Sequence, residues 1–132
     1  MENLLTKQAT VAYSKKINAF HATFFNFVKH TEFVNVLEFE YKMVEYYKLK
    51  NALIDLRQMK IYAKGNEEYI KATWFPKMEV LGLKKVAFIV PKDIFAKITM
   101  ENAHNEEKNA PQLEVTHFKT VEEAEKWLSN PN

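Results

Sequence analysis

The sequence predicts an α/β fold: a mixed β-sheet, made of an N-terminal hairpin plus parallel strands, covered by about four helices. Two short apolar runs carry that prediction. Leu53-Ile54-Asp55-Leu56-Arg57 and Val86-Ala87-Phe88-Ile89-Val90-Pro91 are each closed by a polar or helix-starting residue and stand one helix's worth of chain apart. That is the pattern of neighbouring parallel strands buried on both faces. The third observation is an absence. The connection between the runs has none of the closely spaced glycines that cradle a nucleotide phosphate, which removes the commonest ligand of such folds.

The elements follow in order. Thr10 to Tyr13 and Phe20 to Phe27 alternate as strands do, with Phe20, Ala22 and Phe24 on one face, and the short link Ser14 to Ala19 makes them a hairpin. Thr31 is placed to cap a helix with Glu32 in its first turn, running to about Leu49. At 100° per residue, Phe33, Val36, Leu37, Tyr41, Val44 and Tyr47 gather on one broad face of it, opposite Asn35, Glu38, Lys42 and Glu45. A strand over about Ala52 to Leu56 and a loop over Arg57 to Gly65 come next. Asn66 is placed to cap a second helix carrying Ile70, Trp74, Met78 and Leu81 at helical spacing. Pro76 interrupts that helix, so a kink or restart is expected there, and Gly82 suits its left-handed terminator. The strand Val86 to Val90 leads through Pro91 into a helix with Ile94, Phe95 and Ile98. Asn102 to Pro111 reads as a polar, irregular, mobile loop, and Leu113 to Phe118 as a last strand. Thr120 and Glu123 have capping-box spacing ahead of a helix with Val121, Ala124, Trp127 and Leu128 buried, which stops before Pro131. The order is ββαβαβαβα.

Composition sets bounds. The 132 residues are expected to form a single domain, 1–132, with its core over about 10–128. A hydrophobic fraction of 47% and an aromatic fraction of 14% exclude disorder. A net charge of +2 argues against a nucleic-acid partner or an anionic membrane surface. The pairs Lys48/Lys50 and Lys84/Lys85 read as solvated helix ends and strand edges. With no cysteine, disulfides, thiolate catalysis and zinc–sulfur sites are excluded. No signal-peptide or membrane-spanning segment is evident, so no membrane insertion and a cytoplasmic location are expected.

Candidate chemistry is sparse. Ser14 and Ser129 lack the flanking glycines of a nucleophile elbow, and His21, His30, His104 and His117 show no metal-ligand spacing. No cofactor, metal or catalytic residue is therefore expected. Asp55 and Arg57 stand two apart at a strand's carboxyl end, the side on which open α/β sheets collect ligands. They either orient a polar ligand head, or Asp55 accepts bonds from loop amides while Arg57 caps a carbonyl or pairs locally. Glu40 projects into the apolar face of the first long helix. It is either the polar contact of a pocket between this helix and the sheet, or is turned to the rim beside Lys48 or Arg57, the reading preferred from sequence; Trp74, on the neighbouring helix, is a separate ligand-binding candidate. Phe39, Met43 and Tyr46 form a second apolar stripe on that helix and Phe75 lies on its neighbour, which suggests a homodimer or protein-partner surface.

Several short motifs carry a family resemblance: Asp55-x-Arg57, Trp74-Phe75 before Pro76, Gly82-Leu83-Lys84-Lys85-Val86-Ala87, Val90-Pro91, and Glu123-Ala124-x-x-Trp127-Leu128. With the element order, the chain resembles the STAS-like domains of bacterial anti-sigma-factor antagonists. It is closer still to small bacterial proteins related both to these and to CRAL-TRIO lipid-binding domains. The resemblance implies a non-enzymatic regulatory or protein-interaction module. It also implies, as the alternative, a carrier or sensor of a small apolar or amphipathic ligand held between helices and sheet. Antagonists of this class switch partners through a phosphorylatable serine at the helix start after the third strand. The corresponding stretch here, Arg57 to Asn66, has neither serine nor threonine.

Overall fold

The computed structural model describes residues 1–63, 65–104 and 113–130. In chain order come β1 (Leu4–Leu5), β2 (Ala9–Ser14), β3 (Ala19–Phe24), β4 (Asn26–Val28), α1 (His30–Tyr47), β5 (Asn51–Asp55) and β6 (Met59–Tyr62). There follow α2 (Asn66–Tyr69), a π-helical turn (Ile70–Trp74), α3 (Phe75–Leu81), β7 (Lys85–Ile89), α4 (Lys92–His104), β8 (Glu114–Phe118) and α5 (Val121–Leu128). A six-stranded sheet in the order β1-β2-β3-β5-β7-β8 is antiparallel through the hairpin and parallel from β3 onward. The two apolar runs that predicted the fold lie side by side in parallel, with Asn51 opposite Lys85 and Asp55 opposite Ile89.

Strand alternation divides the core between the two faces of the sheet. Phe20, Ala22, Phe24, Ala52, Ile54 and Val86 pack with Phe33, Leu37 and Val44 of α1, Trp74 of the π-helical turn and Met78 of α3. On the other face, Leu53, Ala87 and Ile89 meet Ala124 and Leu128 of α5. That face also takes the Lys85 ammonium, which is buried rather than solvated as expected. Its Nζ donates to the carbonyls of Trp127 (3.4 Å) and Asn130 (3.0 Å), at the C-terminal end of α5, where carbonyls and the helix dipole favour a cation.

Several boundaries differ from the sequence reading. The hairpin's second strand stops at Phe24, because Asn26 turns to φ 55° and redirects the chain into β4. β4 pairs in parallel with β6, inside the stretch predicted to be loop, and the two form a separate small sheet. α1 begins at His30, with Lys29 rather than Thr31 at its cap, and Glu32 Oε1 accepts the Lys29 backbone N–H at 3.3 Å. β1, absent from the prediction, adds an edge strand with Leu4 opposite Val11. α4 extends through Asn102 to His104, and the rest of the predicted mobile loop, 105–111, lies outside the described residues, as does Pro131. Thr120 caps α5 by accepting the Glu123 N–H at 3.2 Å. Its hydroxyl donates to Glu123 Oε1 at 3.1 Å, so that carboxylate does not return to a backbone amide as in the expected box.

The helix broken by Pro76 restarts. Gly65 precedes it at φ 96°, and Asn66 is its first residue and not its cap. After one α-turn the chain widens into the π-helical segment, where the Phe75 N–H donates to the Ile70 carbonyl. Pro76, which has no N–H to give, then sits in the first turn of α3. Gly82 closes α3 at φ 98°, with the N–H groups of Gly82 and Leu83 on the carbonyls of Glu79 and Met78, both at 3.0 Å.

Candidate functional site

A cavity of about 420 Å³ opens at the carboxyl ends of the parallel strands. Its floor is a row of cross-strand neighbours, Ile54, Phe88 and His117, continued by Phe24 on one side and by Leu56 and Val90 beyond the strand ends. Phe33 and Leu37 of α1, Ile70 of the π-helical turn with Phe75 just after it, and Ile94 and Ile98 of α4 form the walls. Met59 and Lys60 of β6, with Glu67 and Lys71, close the side away from β8. The lining is overwhelmingly apolar and aromatic. Among the described lining residues, charge is confined to that one side, and the His117 imidazole stands at the opposite end of the floor.

The geometry follows from local sequence. Parallel strands present every second residue to one face, so Ile54, Phe88 and His117 come level through register alone. The π-helical turn adds a residue to one circuit of the helix and the segment meets α1 through Trp74, leaving Ile70, Lys71 and Phe75 turned to the cavity. Phe75 bridges the two, packing edge-on against both Trp74 (5.0 Å) and Phe88 (6.5 Å). Burial pushes the His117 pKa down, so the ring is neutral at pH 7, and it stacks on Phe88 at 5.5 Å.

The residues singled out in the sequence lie around this cavity more than in it. Asp55 and Arg57 are occupied with each other. Asp55 accepts the Arg57 backbone N–H (3.0 Å), Nε–H (3.0 Å) and Nη2–H (2.7 Å), a local turn closed by a bidentate ion pair. Burial opposes ionisation of Asp55, but the Arg57 hydrogen bonds and charge outweigh it and hold the carboxyl below its ordinary value. Neither residue lines the cavity.

Glu40 is wholly buried in the core instead of turned to the rim. Its Oε1 accepts the Trp74 indole N–H at 2.9 Å, and its Oε2 has no partner. Burial raises the Glu40 pKa to about 8, with the Trp74 bond a smaller opposing effect, so the carboxyl is mostly protonated at pH 7. Trp74 is equally buried, and the pair ties α1 to the π-helical turn without facing the cavity.

The stripe assigned to a partner surface is largely covered from within. Met43 is wholly buried, and Phe39 is half-buried beside β1, the strand the sequence did not reveal. Tyr46 is 63% exposed and packs edge-on against Tyr47, which stacks on Tyr13 at 3.7 Å. Phe75 faces the cavity. Asn66 escaped the sequence reading as a core residue. It is fully buried, with Oδ1 2.9 Å from His30 Nδ1 and Nδ2 donating to the Val28 carbonyl at 3.4 Å, and so joins α1, β4 and α2. Its polarity pointed to a cap, and only the long-range partners reveal its place.

Among the described residues no group of three or more His, Cys, Asp or Glu is arranged to hold a metal, and no helix is long and apolar enough to cross a membrane. No family model and no curated protein matches the chain. A solved structure does: a protein of the DUF3478 family with a SpoIIAA-like fold from Shewanella loihica PV-4. It is 16% identical with a TM-score of 0.59, and the match covers 97% of this chain and 98% of that one. The chain therefore has a SpoIIAA-like, STAS-type fold.

Proposed function

We propose that this chain is a non-enzymatic binding module of STAS-like type whose ligand is a small apolar or amphipathic molecule held between the helices and the sheet. The observation that carries the reading is the cavity. A volume of about 420 Å³, walled by aliphatic and aromatic side chains at the strand ends, lies within the range of small-molecule sites. Among the described residues of its wall there is no serine, threonine or cysteine, so hydroxyl and thiol nucleophiles are missing there, which supports binding over turnover. A STAS-like fold supports regulatory and interaction modules, and occupancy of this cavity is an input such a module can transmit. The partner-surface reading draws less support, because Met43 is buried and Phe75 is turned inward.

Native mass spectrometry of freshly purified protein and titration with the uncharged fluorophore N-phenyl-1-naphthylamine test the proposal. The expected result is saturable binding of one fluorophore per chain, or bound mass that is lost on denaturation. Protein that carries no extra mass and leaves the fluorophore's emission unchanged would rule the reading out.

A further inference from the structure

The cavity's charges are unevenly placed, and their pairing is more informative than their number. Lys60, Glu67 and Lys71 all stand on the β6–α2–π-turn side, while the floor of Ile54 and Phe88 carries none. Neither lysine has a carboxylate within ion-pair distance: the ion pairs among the described residues are Lys16–Glu125 and Arg57–Asp55. Glu67, one helical turn before Lys71, balances one of the two positive charges in number without pairing with either. Among the described residues, one side of an otherwise apolar cavity therefore holds two ammonium groups without an ion-pair partner and a net positive charge. At the far end of the floor, the His117 ring makes no hydrogen bond among the described residues, and burial keeps it from adding charge there.

We propose that the cavity takes a single-chain anionic amphiphile, its head beside Lys60 and Lys71 and its apolar chain along Ile54 and Phe88. This rests on the binding-module reading above and adds the chemistry of the ligand. Size and charge both select it. At roughly 30 Å³ for each water- or methylene-sized group, the cavity holds one chain of about a dozen carbons and not the two chains of a membrane phospholipid. An anionic head is the ligand group that meets both unpaired ammoniums while its chain replaces water against the floor. A cation would meet them as like charges, and a neutral head would leave them as they are.

Calorimetric titration with decanoate, decanol and decyltrimethylammonium, the two ionic ligands kept below their micelle concentrations and decanol below its solubility limit, separates the possibilities. These ligands share one chain and differ in the head. At low salt, decanoate is expected to bind tightest and decyltrimethylammonium weakest, and high salt should weaken decanoate alone. Replacing both lysines, Lys60→Gln with Lys71→Gln, should weaken decanoate by about tenfold, roughly threefold for each partly solvated charge, and leave decanol unchanged. Both side chains are exposed, so the variant is expected to fold, and an unaltered melting curve checks that it does. Lengthening the carboxylate by one methylene should tighten binding by about fourfold until the cavity is full. If decanol binds as tightly as decanoate, or the cation binds best, the anionic preference is overturned and the binding-module reading stands. If none of the three binds, that reading falls and this inference with it.

Discussion

Glu40 is the residue whose chemistry has the widest consequence for stability. It is fully buried, one oxygen holds the Trp74 indole, the other is unpartnered, and its pKa lies at about 8. In the unfolded chain a glutamate titrates near 4.3. Between about pH 5 and pH 8 the folded state keeps a proton that the unfolded state has released. Stability is therefore lost as pH rises through that window, by up to about 4 kcal/mol. Asp55 works the other way, but only as pH falls below the ordinary carboxylate range, since its pKa is held down. His21 and His117 are also held below the ordinary imidazole value, mainly by burial, and they too cost stability as pH falls below about 6.5. Glu40→Gln keeps an oxygen for the indole and cannot ionise. Urea denaturation across the window should show the wild type losing stability relative to E40Q as pH rises. Parallel curves would mean that Glu40 does not titrate in the fold. The sequence exposed this residue, because a carboxylate amid Val36, Leu37 and Val44 breaks the helical pattern. It could not show which neighbour answered it, since Trp74 comes from an element 34 residues away.

At the scale of elements, the strands and helices with strong periodicity were legible and the short irregular ones were not. β5, β7 and α1 announce themselves through long apolar patterns. β4 and β6 have three and four residues, an irregular register and a partner across α1 and β5, so no local signal distinguishes them from loop. Pro76 predicted a break, but the π-helical turn that absorbs it depends on how Trp74 docks against α1. The two glycines give a matched test of what local geometry requires. Gly65 has φ 96°, and a Cβ there would lie 3.3 Å from His30 Nδ1, the atom bound to Asn66. Gly82 has φ 98°, but a Cβ would meet only the movable end of Lys50 at 3.5 Å. Both alanine variants should lose about 1 kcal/mol to backbone strain. Gly65→Ala should lose about 1 kcal/mol more, because it crowds a buried polar pair. Equal shifts in the denaturation midpoints would show that the His30–Asn66 contact yields at no cost.

For the whole molecule, the cavity is a property of assembly. Its floor was written in the strand alternation, Phe33, Leu37 and Ile70 follow the apolar spacing of their helices, and Phe75, expected at a partner surface, completes the wall. The space between them appears only when α1, the π-helical turn, α4 and the strand ends fail to close on one another. No local pattern specifies a gap. For the same reason the polar residues visible in the sequence, Asp55 and Arg57, drew attention to a strand end whose groups are already satisfied, while Lys60 and Lys71, which border the cavity, belong to no motif that sets them apart. An unfilled apolar volume costs stability through lost contacts, so a fold that keeps one without using it can be improved freely. Leu56→Phe and Ile98→Phe, both at half-buried wall positions, add bulk to this space. Each should stabilise the protein by about 1 kcal/mol in the absence of ligand and weaken fluorophore binding in proportion. Thermal melts with and without the fluorophore read both quantities on one sample, because a ligand that binds only the folded state raises the Tm by mass action. A packing defect would give the first effect with no binding to lose. Stability gained with binding undiminished would place the fluorophore elsewhere on the protein.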